Sequence, residues 1–365
     1  MKPNITDIPM DQLPAVAHAL GLKPYVVSQL ITWLYKKRVS SFEDMTNLSK
    51  EARRVLSEHY SISRLKIDRI QQAADGTKKF MFVLSDGKKV ESVLIPAADK
   101  RLTLCISTQV GCAMGCVFCR TAQMGFIRDL TQGEIVGQLI EVQKTMGHPH
   151  PLPPPSPARR SLGVGGRGRA GERGILQITN IVLMGMGEPL VNYDAVAAAT
   201  KILLDERAFN FSKRRVTIST SGLLPQLARF AKQFDIKIAI SLNATTDEVR
   251  NHLMPINRRY CLADIMKFCR SYSNQSKHRV TFEYVMIQGV NDASHDMKRL
   301  MKLLAGIRAK VNLIPFNPFP GCDYKGPIES TLHMWYKFLT EHGIQTNIRI
   351  SRGQDILAAC GQLAA

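Results

Sequence analysis

Three cysteines fall within eight residues in the stretch Cys112-Ala-Met-Gly-Cys116-Val-Phe-Cys119. Thiolates are soft ligands that suit zinc or iron–sulfur clusters. A structural zinc site wants four protein ligands in a closed tetrahedron. A cubane cluster also has four irons, so three local cysteines leave one corner open unless a distant residue closes it. An open iron is what a cluster needs if it must bind and cleave a substrate. Gly111 and Gly115 give the backbone the freedom that lets three sulfurs converge. Two other readings stay open on spacing alone: a redox pair at Cys116-Val-Phe-Cys119, and zinc closed by Cys360 or Cys105.

Further chemistry-bearing residues lie far along the chain. Met184-Gly-Met-Gly-Glu-Pro189 follows an apolar run and sets Gly187 and Glu188 where a strand should end. Exposed backbone beside a carboxylate is a natural receptor for a cationic amine. Ser219, the run Ser241-Leu242-Asn243, and Asn317 fall at other expected strand ends. Cys105 precedes the cysteine loop by seven residues, and Cys360 lies near the C-terminus in Ala358-Ala-Cys-Gly-Gln-Leu363. Taken alone, Cys360 reads as a small buried hydrophobe, and Glu91 in Val90-Glu-Ser-Val as an ordinary strand carboxylate.

Taken together, Cys105-Ile-Ser-Thr-Gln-Val-Gly-Cys112, the Cys-x3-Cys-x2-Cys loop, Met184-Gly-Met-Gly-Glu-Pro189 and Ala359-Cys-Gly-Gln-Leu363 change these readings. In this order they resemble the radical S-adenosylmethionine (SAM) family that methylates adenine carbon 2 in 23S rRNA. The resemblance implies one 4Fe-4S cluster on Cys112, Cys116 and Cys119, and two SAM molecules per turnover. It implies SAM contacts at Gly187, Glu188, Ser219, Ser241, Leu242, Asn243 and Asn317. Asn243 stands where many members have histidine; asparagine still donates and accepts hydrogen bonds but cannot ionise. The resemblance also implies that Cys360 takes a methyl group from one SAM, and that a second SAM is reduced to a 5′-deoxyadenosyl radical. That radical would activate the methyl on Cys360 for addition to the base. Cys105 would then attack Cys360 and release the product, with Glu91 as proton acceptor. The implied partners are 23S rRNA, with tRNA as a second substrate, and an electron donor of unspecified identity. A relative that methylates carbon 8, and a non-catalytic metal-containing RNA-binding protein, are the competing readings.

These residues need a frame to hold them. Residues 8–60 carry amphipathic helical spacing, with Ser49 as an N-cap and Lys36-Lys37-Arg38 ending one stretch. Asp75-Gly76 and Asp86-Gly87 sit between apolar runs, a hairpin signal that predicts strands near 66–72, 78–84, 88–95 and 102–107. Beyond them strands are expected at 178–184, 215–220, 236–242, 280–286, 311–315 and 346–350. Helices are expected at 132–145, 194–204, 223–234, 263–272, 293–304 and 331–342. Such alternation means parallel strands joined by crossovers, an α/β barrel or open sheet, with chemistry at the C-terminal strand ends. The resemblance narrows this to a partial (β/α)6 barrel. The expected division is a helical accessory domain over 1–62, a β-hairpin connector over 63–100 and the barrel over 101–365.

The chain has 365 residues, 45% of them hydrophobic, enough for a sizeable core, and a formal net charge of +19. That excess favours a polyanionic partner, because phosphate contacts release counterions. Lys213-Arg214-Arg215 and Arg258-Arg259 are candidates to track phosphates across the site face. Residues 149–174 contain Pro153-Pro-Pro and Gly163-Val-Gly-Gly-Arg-Gly-Arg, a low-complexity composition that reads as a disordered insert. It holds five arginines and one glutamate, so most of the positive charge lies elsewhere. No run of 18 apolar residues is present, and the N-terminus lacks a signal-peptide core, so a cytoplasmic monomer without a membrane span is expected. Cys261, Cys269 and Cys322 fit no motif and read as structural.

Overall fold

The computed structural model describes residues 2–147 and 177–365; the expected insert at 149–174 lies outside the described residues. The N-terminal helices are α1 (Leu13–Ala19), α2 (Tyr25–Ile31) and α3 (Lys50–His59). Ser49 caps α3 by accepting the Ala52 amide at 3.1 Å, which satisfies one of the donors that a helix start leaves free. Helix α2 runs on into a π-helical turn, Thr32–Lys37, that Arg38 ends in the left-handed region at φ 62°. Leu13, Leu34, Tyr35 and Leu56 form the buried face of this unit.

Twelve strands follow. β1 (Lys66–Gln72), β2 (Lys78–Val83) and β3 (Lys89–Pro96) are antiparallel neighbours, turned at the two Asp-Gly pairs. β3 also pairs with β4 (Leu102–Cys105), so the hairpins are not a separate connector layer: they extend the barrel sheet. The sheet continues in parallel through β7 (Asn180–Leu183), β8 (Val216–Thr220), β9 (Lys237–Ser241), β10 (Val280–Met286), β11 (Ala309–Pro315) and β12 (Gln345–Ile348), ten strands in all. β5 (Gln109–Gly111) and β6 (Phe126–Asp129) make a separate two-stranded ribbon.

Six crossover helices cover the outside: α4 (Gln132–Gly147), α5 (Tyr193–Leu204), α6 (Leu224–Gln233), α7 (Leu262–Gln275), α8 (Ser294–Leu303) and α9 (Glu329–Glu341). With β12 as a seventh parallel strand, this is a partial barrel of six βα units. Strand side chains alternate, as period two demands. Leu104, Ile181, Ile218, Phe282, Tyr284 and Leu313 are buried against the helices, and Tyr284 packs on Trp335 of α9 at 5.2 Å between ring centres. The alternate positions turn Cys105, Ser219, Ser241, Glu283 and Arg349 into the barrel, where they line its cavities. The N-terminal unit docks on the start of α4, where Gln132 Nε2 donates to the carbonyls of Thr6 and Ile8 at 2.8 and 2.7 Å.

Candidate active site: a cysteine loop and a docked C-terminal tail

The β5–β6 ribbon frames the cysteine loop. Gly111 sits at φ 74°, and a Cβ there would come within 1.8 Å of the Gly125 carbonyl oxygen, so no other residue fits. The Cys112 amide donates to that same carbonyl at 2.8 Å, and the Val117 amide to the Leu253 carbonyl at 3.1 Å. Cys112, Cys116 and Cys119 line one cavity inside the strand ends. Burial pushes the Cys112 thiol up to about 12 and raises Cys116 and Cys119 as well, because unpaired thiolates are costly in a dry site. Thiolates that bind iron lose that penalty to the metal charge. Among the described residues no group of three His, Cys, Asp or Glu side chains converges on a single ion. A cubane cluster does not ask for that, since each cysteine holds its own iron. Three soft donors around one cavity fit such a cluster.

Glu188, Ser219, Ser241 and Asn243 open on the same cavity. Gly187, at φ 99°, lets the backbone pass Gln109, whose Cβ would lie 2.5 Å from any added Cβ. The Glu188 carboxylate is buried; it accepts the Ser221 amide at 2.7 Å and the Leu190 amide at 3.2 Å, while burial raises its pKa. Asn243 adopts φ 57°, a left-handed position that asparagine tolerates, and its Oδ1 accepts the Val285 amide at 2.8 Å. Leu242 turns its side chain into the core, fully buried, so only its backbone faces the strand end.

A residue with no motif of its own fixes these ends. Arg250, fully buried, donates to the carbonyls of Ser221, Ser241 and Leu242 at 2.7, 3.0 and 3.0 Å, and to Asn257 Oδ1 at 2.9 Å. It thus holds the ends of β8 and β9 together, and desolvation lowers its pKa to about 10. Nothing in Asp247-Glu-Val-Arg250-Asn marks it for this role, because the carbonyls it serves lie at the ends of two other elements.

The C-terminal tail crosses the barrel mouth and brings Cys360 to the cluster loop. The Gly361 carbonyl accepts the Arg120 amide at 2.8 Å, and the Leu363 carbonyl accepts Thr121 Oγ1 at 2.6 Å. Asn317, expected to contact SAM, lines a cavity with Cys360, donates Nδ2 to the Cys360 carbonyl at 3.0 Å and accepts Gln354 Nε2 at 2.8 Å. Cys105 is buried on β4 and opens on a second cavity with Val93, Ile95 and Asn317. Cys360 lines both cavities and is exposed through them. Burial drives the Cys105 thiol up to about 12, with Arg349 opposing the rise.

Glu91 lies on β3, two residues before Val93 and on the same face. Lys79 Nζ stands 3.0 Å from Glu91 Oε1, and the Ala364 amide donates to Oε2 at 3.0 Å. Both side chains are nearly inaccessible, and nothing local to Lys78-Lys79 marks the second lysine for burial. The phosphate-tracking expectation for Lys213–Arg215 does not hold. This turn precedes β8, at the end of the barrel opposite the site. Arg258 and Arg259 are exposed and follow β9 on the site side.

Comparison with known proteins gives the chain a family. The family model of the Radical SAM superfamily covers residues 170–304, downstream of the cysteine loop, and that of the ribosomal RNA large subunit methyltransferase N-terminal domain covers residues 3–62. The dual-specificity RNA methyltransferase RlmN of Syntrophotalea carbinolica is 43% identical over 99% of this chain and 89% of its own length. That of Desulfosudis oleivorans is 45% identical over 95% and 87%. The crystal structure of a radical SAM methyltransferase from Sphaerobacter thermophilus superposes with a TM-score of 0.85 at 38% identity, covering 99% of both chains. The family chemistry brings a 4Fe-4S cluster and SAM, and among the described residues no helix is long and apolar enough to cross a membrane. The chain belongs to the RlmN family of radical SAM RNA methyltransferases.

Proposed function

We propose that the chain methylates carbon 2 of an adenine in 23S rRNA and in tRNA, through a methyl group carried on Cys360. The observation that supports this most is the place of Cys360 on the wall shared by the cluster-side cavity and the Cys105 cavity. A residue there can take a group from one compartment and present it in the other.

Cys112, Cys116 and Cys119 would hold the cluster, which would supply the electron for cleavage of SAM. Gly187 and Glu188 receive the methionine amino group, while Ser219, Ser241, Asn243 and the Leu242 backbone border the rest of SAM. The Cys360 thiolate, its proton lost to solvent, would attack the methyl carbon of the first SAM; the S–CH3 bond forms as the bond from that carbon to the sulfonium breaks, and S-adenosylhomocysteine leaves. Once that carbon is joined to adenine carbon 2, Glu91 takes the carbon-2 proton. Cys105 would then attack the Cys360 sulfur as a thiolate, forming a disulfide and breaking the bond from that sulfur to carbon, and the released CH2 on the base takes a proton to become the methyl group. Each turnover leaves both thiols oxidised, so an electron donor must restore them. Asn317 acts on this sequence by holding the Cys360 backbone. The adenine must be unstacked to enter, since a base within a duplex is out of reach.

Residues 1–62 form the accessory domain, 63–100 the hairpin strands and 101–365 the barrel, working as a cytoplasmic monomer. The +19 charge supports RNA as the partner. Peptide mass spectrometry tests the first step. The iron-loaded protein is exposed to SAM without RNA, and the Cys360 peptide should become heavier by one methyl group. A methyl on Cys105 instead, or on neither cysteine, would contradict the proposal.

A further inference from the structure

The inner face of the barrel holds an acidic group that the methyl-transfer steps do not use. Glu283 lies on β10, and its side chain is only 8% exposed. It is fixed by a chain that follows the strand register: Asn312, opposite it on β11, donates Nδ2 to Glu283 Oε1 at 2.8 Å. Asn347, opposite Asn312 on β12, donates Nδ2 to Asn312 Oδ1 at 3.2 Å. The other carboxylate oxygen, Oε2, is buried and has no partner among the described residues. An unpartnered buried acceptor forfeits its hydration with no return, so such atoms are rare unless something else fills the gap. Glu283 lines the cluster-side cavity, together with Cys360 and Glu188. Arg349 Nη1 stands 3.8 Å from Glu283 Oε1. Its guanidinium makes no side-chain hydrogen bond among the described residues, and Arg349 lines both cavities.

We infer that the Glu283 carboxylate is a SAM-contacting group that accepts a hydrogen bond from a ribose hydroxyl of SAM, with Asn312, Asn347 and Arg349 positioning it. This rests on SAM occupying the cluster-side cavity. The covalent structure of SAM then limits what can reach Glu283. The SAM methyl must meet the Cys360 sulfur, and the ribose is joined to the same sulfonium through its 5′ carbon. The amino group is held away at Glu188, with β8 and β9 between that position and β10. The part of SAM beside Cys360 and away from Glu188 is therefore the ribose, whose hydroxyls are the donors at hand. The burial that lifts the Glu283 carboxyl pKa is opposed by Arg349 and by Asn312, which favour the ionised acceptor.

Equilibrium binding to the iron-loaded, full-length protein tests the contact, using SAM and its 2′-deoxy and 3′-deoxy ribose analogues. Wild type should bind at least one deoxy analogue about tenfold more weakly than SAM, the usual scale for a hydrogen bond to a charged group. Glu283→Ala should bind SAM about tenfold more weakly than wild type, and should no longer separate SAM from that analogue by more than about twofold. Glu283→Gln keeps the shape but replaces the charged acceptor with an amide. It should lose the same discrimination, and it decides the matter if the alanine variant fails to hold iron. A merely structural role would not make the loss depend on a ribose hydroxyl. Variants that bind SAM as wild type does, or that still separate it from the deoxy analogues by the full factor, would overturn the inference. A wild type that binds no SAM would overturn the cofactor assignment and this contact with it.

Discussion

Two cysteine-bearing segments meet in the site, and they are held there in different ways. The loop at Cys112–Cys119 is shaped locally: a two-stranded ribbon frames it, and Gly111 sits where a Cβ would strike the Gly125 carbonyl. The tail around Cys360 is shaped from a distance. Asn317, Arg120, Thr121 and Glu91 hold it through contacts that span 43 to 273 residues of sequence. A locally built loop can keep its form when its neighbours change, whereas a remotely tethered tail depends on each tether. A tail of that kind also suits a sulfur that must serve two cavities.

The largest effect is expected at the loop. Cys116→Ser should abolish iron loading and methylation together, since two remaining thiolates cannot hold the cluster. Iron analysis checks this, and near-normal iron content would contradict the ligand assignment. On the tail side, Lys79→Met should leave the buried Glu91 carboxylate without its cation and remove the donor to the Leu357 carbonyl at 3.3 Å. Breaking a buried pair in this way costs about 3–5 kcal/mol, measurable by denaturant unfolding, and the iron content of the surviving folded protein should be normal.

Asn317→Ala separates loop from tail without so large a loss. It removes the bonds to the Cys360 carbonyl and to Gln354, and should cost about 1–3 kcal/mol. Methylation should fall while iron loading stays, and Cys360 should react faster with iodoacetamide as the tail loosens. The smallest effect belongs to the hairpin edge. Arg128 bridges Asp86 and Glu134, and its hydrogen bond holds the Asp86 carboxyl below its ordinary value. Its folded pKa being the lower one, this contribution is complete above about pH 4 and is lost as pH falls through the folded value. The pair is part-exposed, so Asp86→Asn should shift stability only slightly at neutral pH and should flatten the acid limb of the unfolding curve.

The same division explains how much was legible in the sequence. Period and turn chemistry marked the hairpins at Asp75-Gly76 and Asp86-Gly87 and the parallel strands, because these signals are local. The spacing of Cys112, Cys116 and Cys119 marked the loop for the same reason. The merging of β3 with β4 was not legible, since the turn over 97–101 that joins them lacks the Asp-Gly pair of the other two. Arg250 and Lys79 carry no local signal, because their partners are carbonyls and a carboxylate elsewhere in the fold. Asn317 stood out as a polar residue at a strand end, but its partner is the tail backbone, which no spacing rule reveals. Lys213–Arg215 looked available to the site until the direction of β8 put it at the far end of the barrel.

The role of the tail is tested most directly by mass mapping of the modified adenine in RNA treated with wild type and with Cys360→Ala, both iron-loaded and supplied with SAM. The expected result is a methyl on carbon 2 from the wild type and none from the variant. A methyl on carbon 8, or undiminished methylation by Cys360→Ala, would contradict a tail that carries the methyl group to the base.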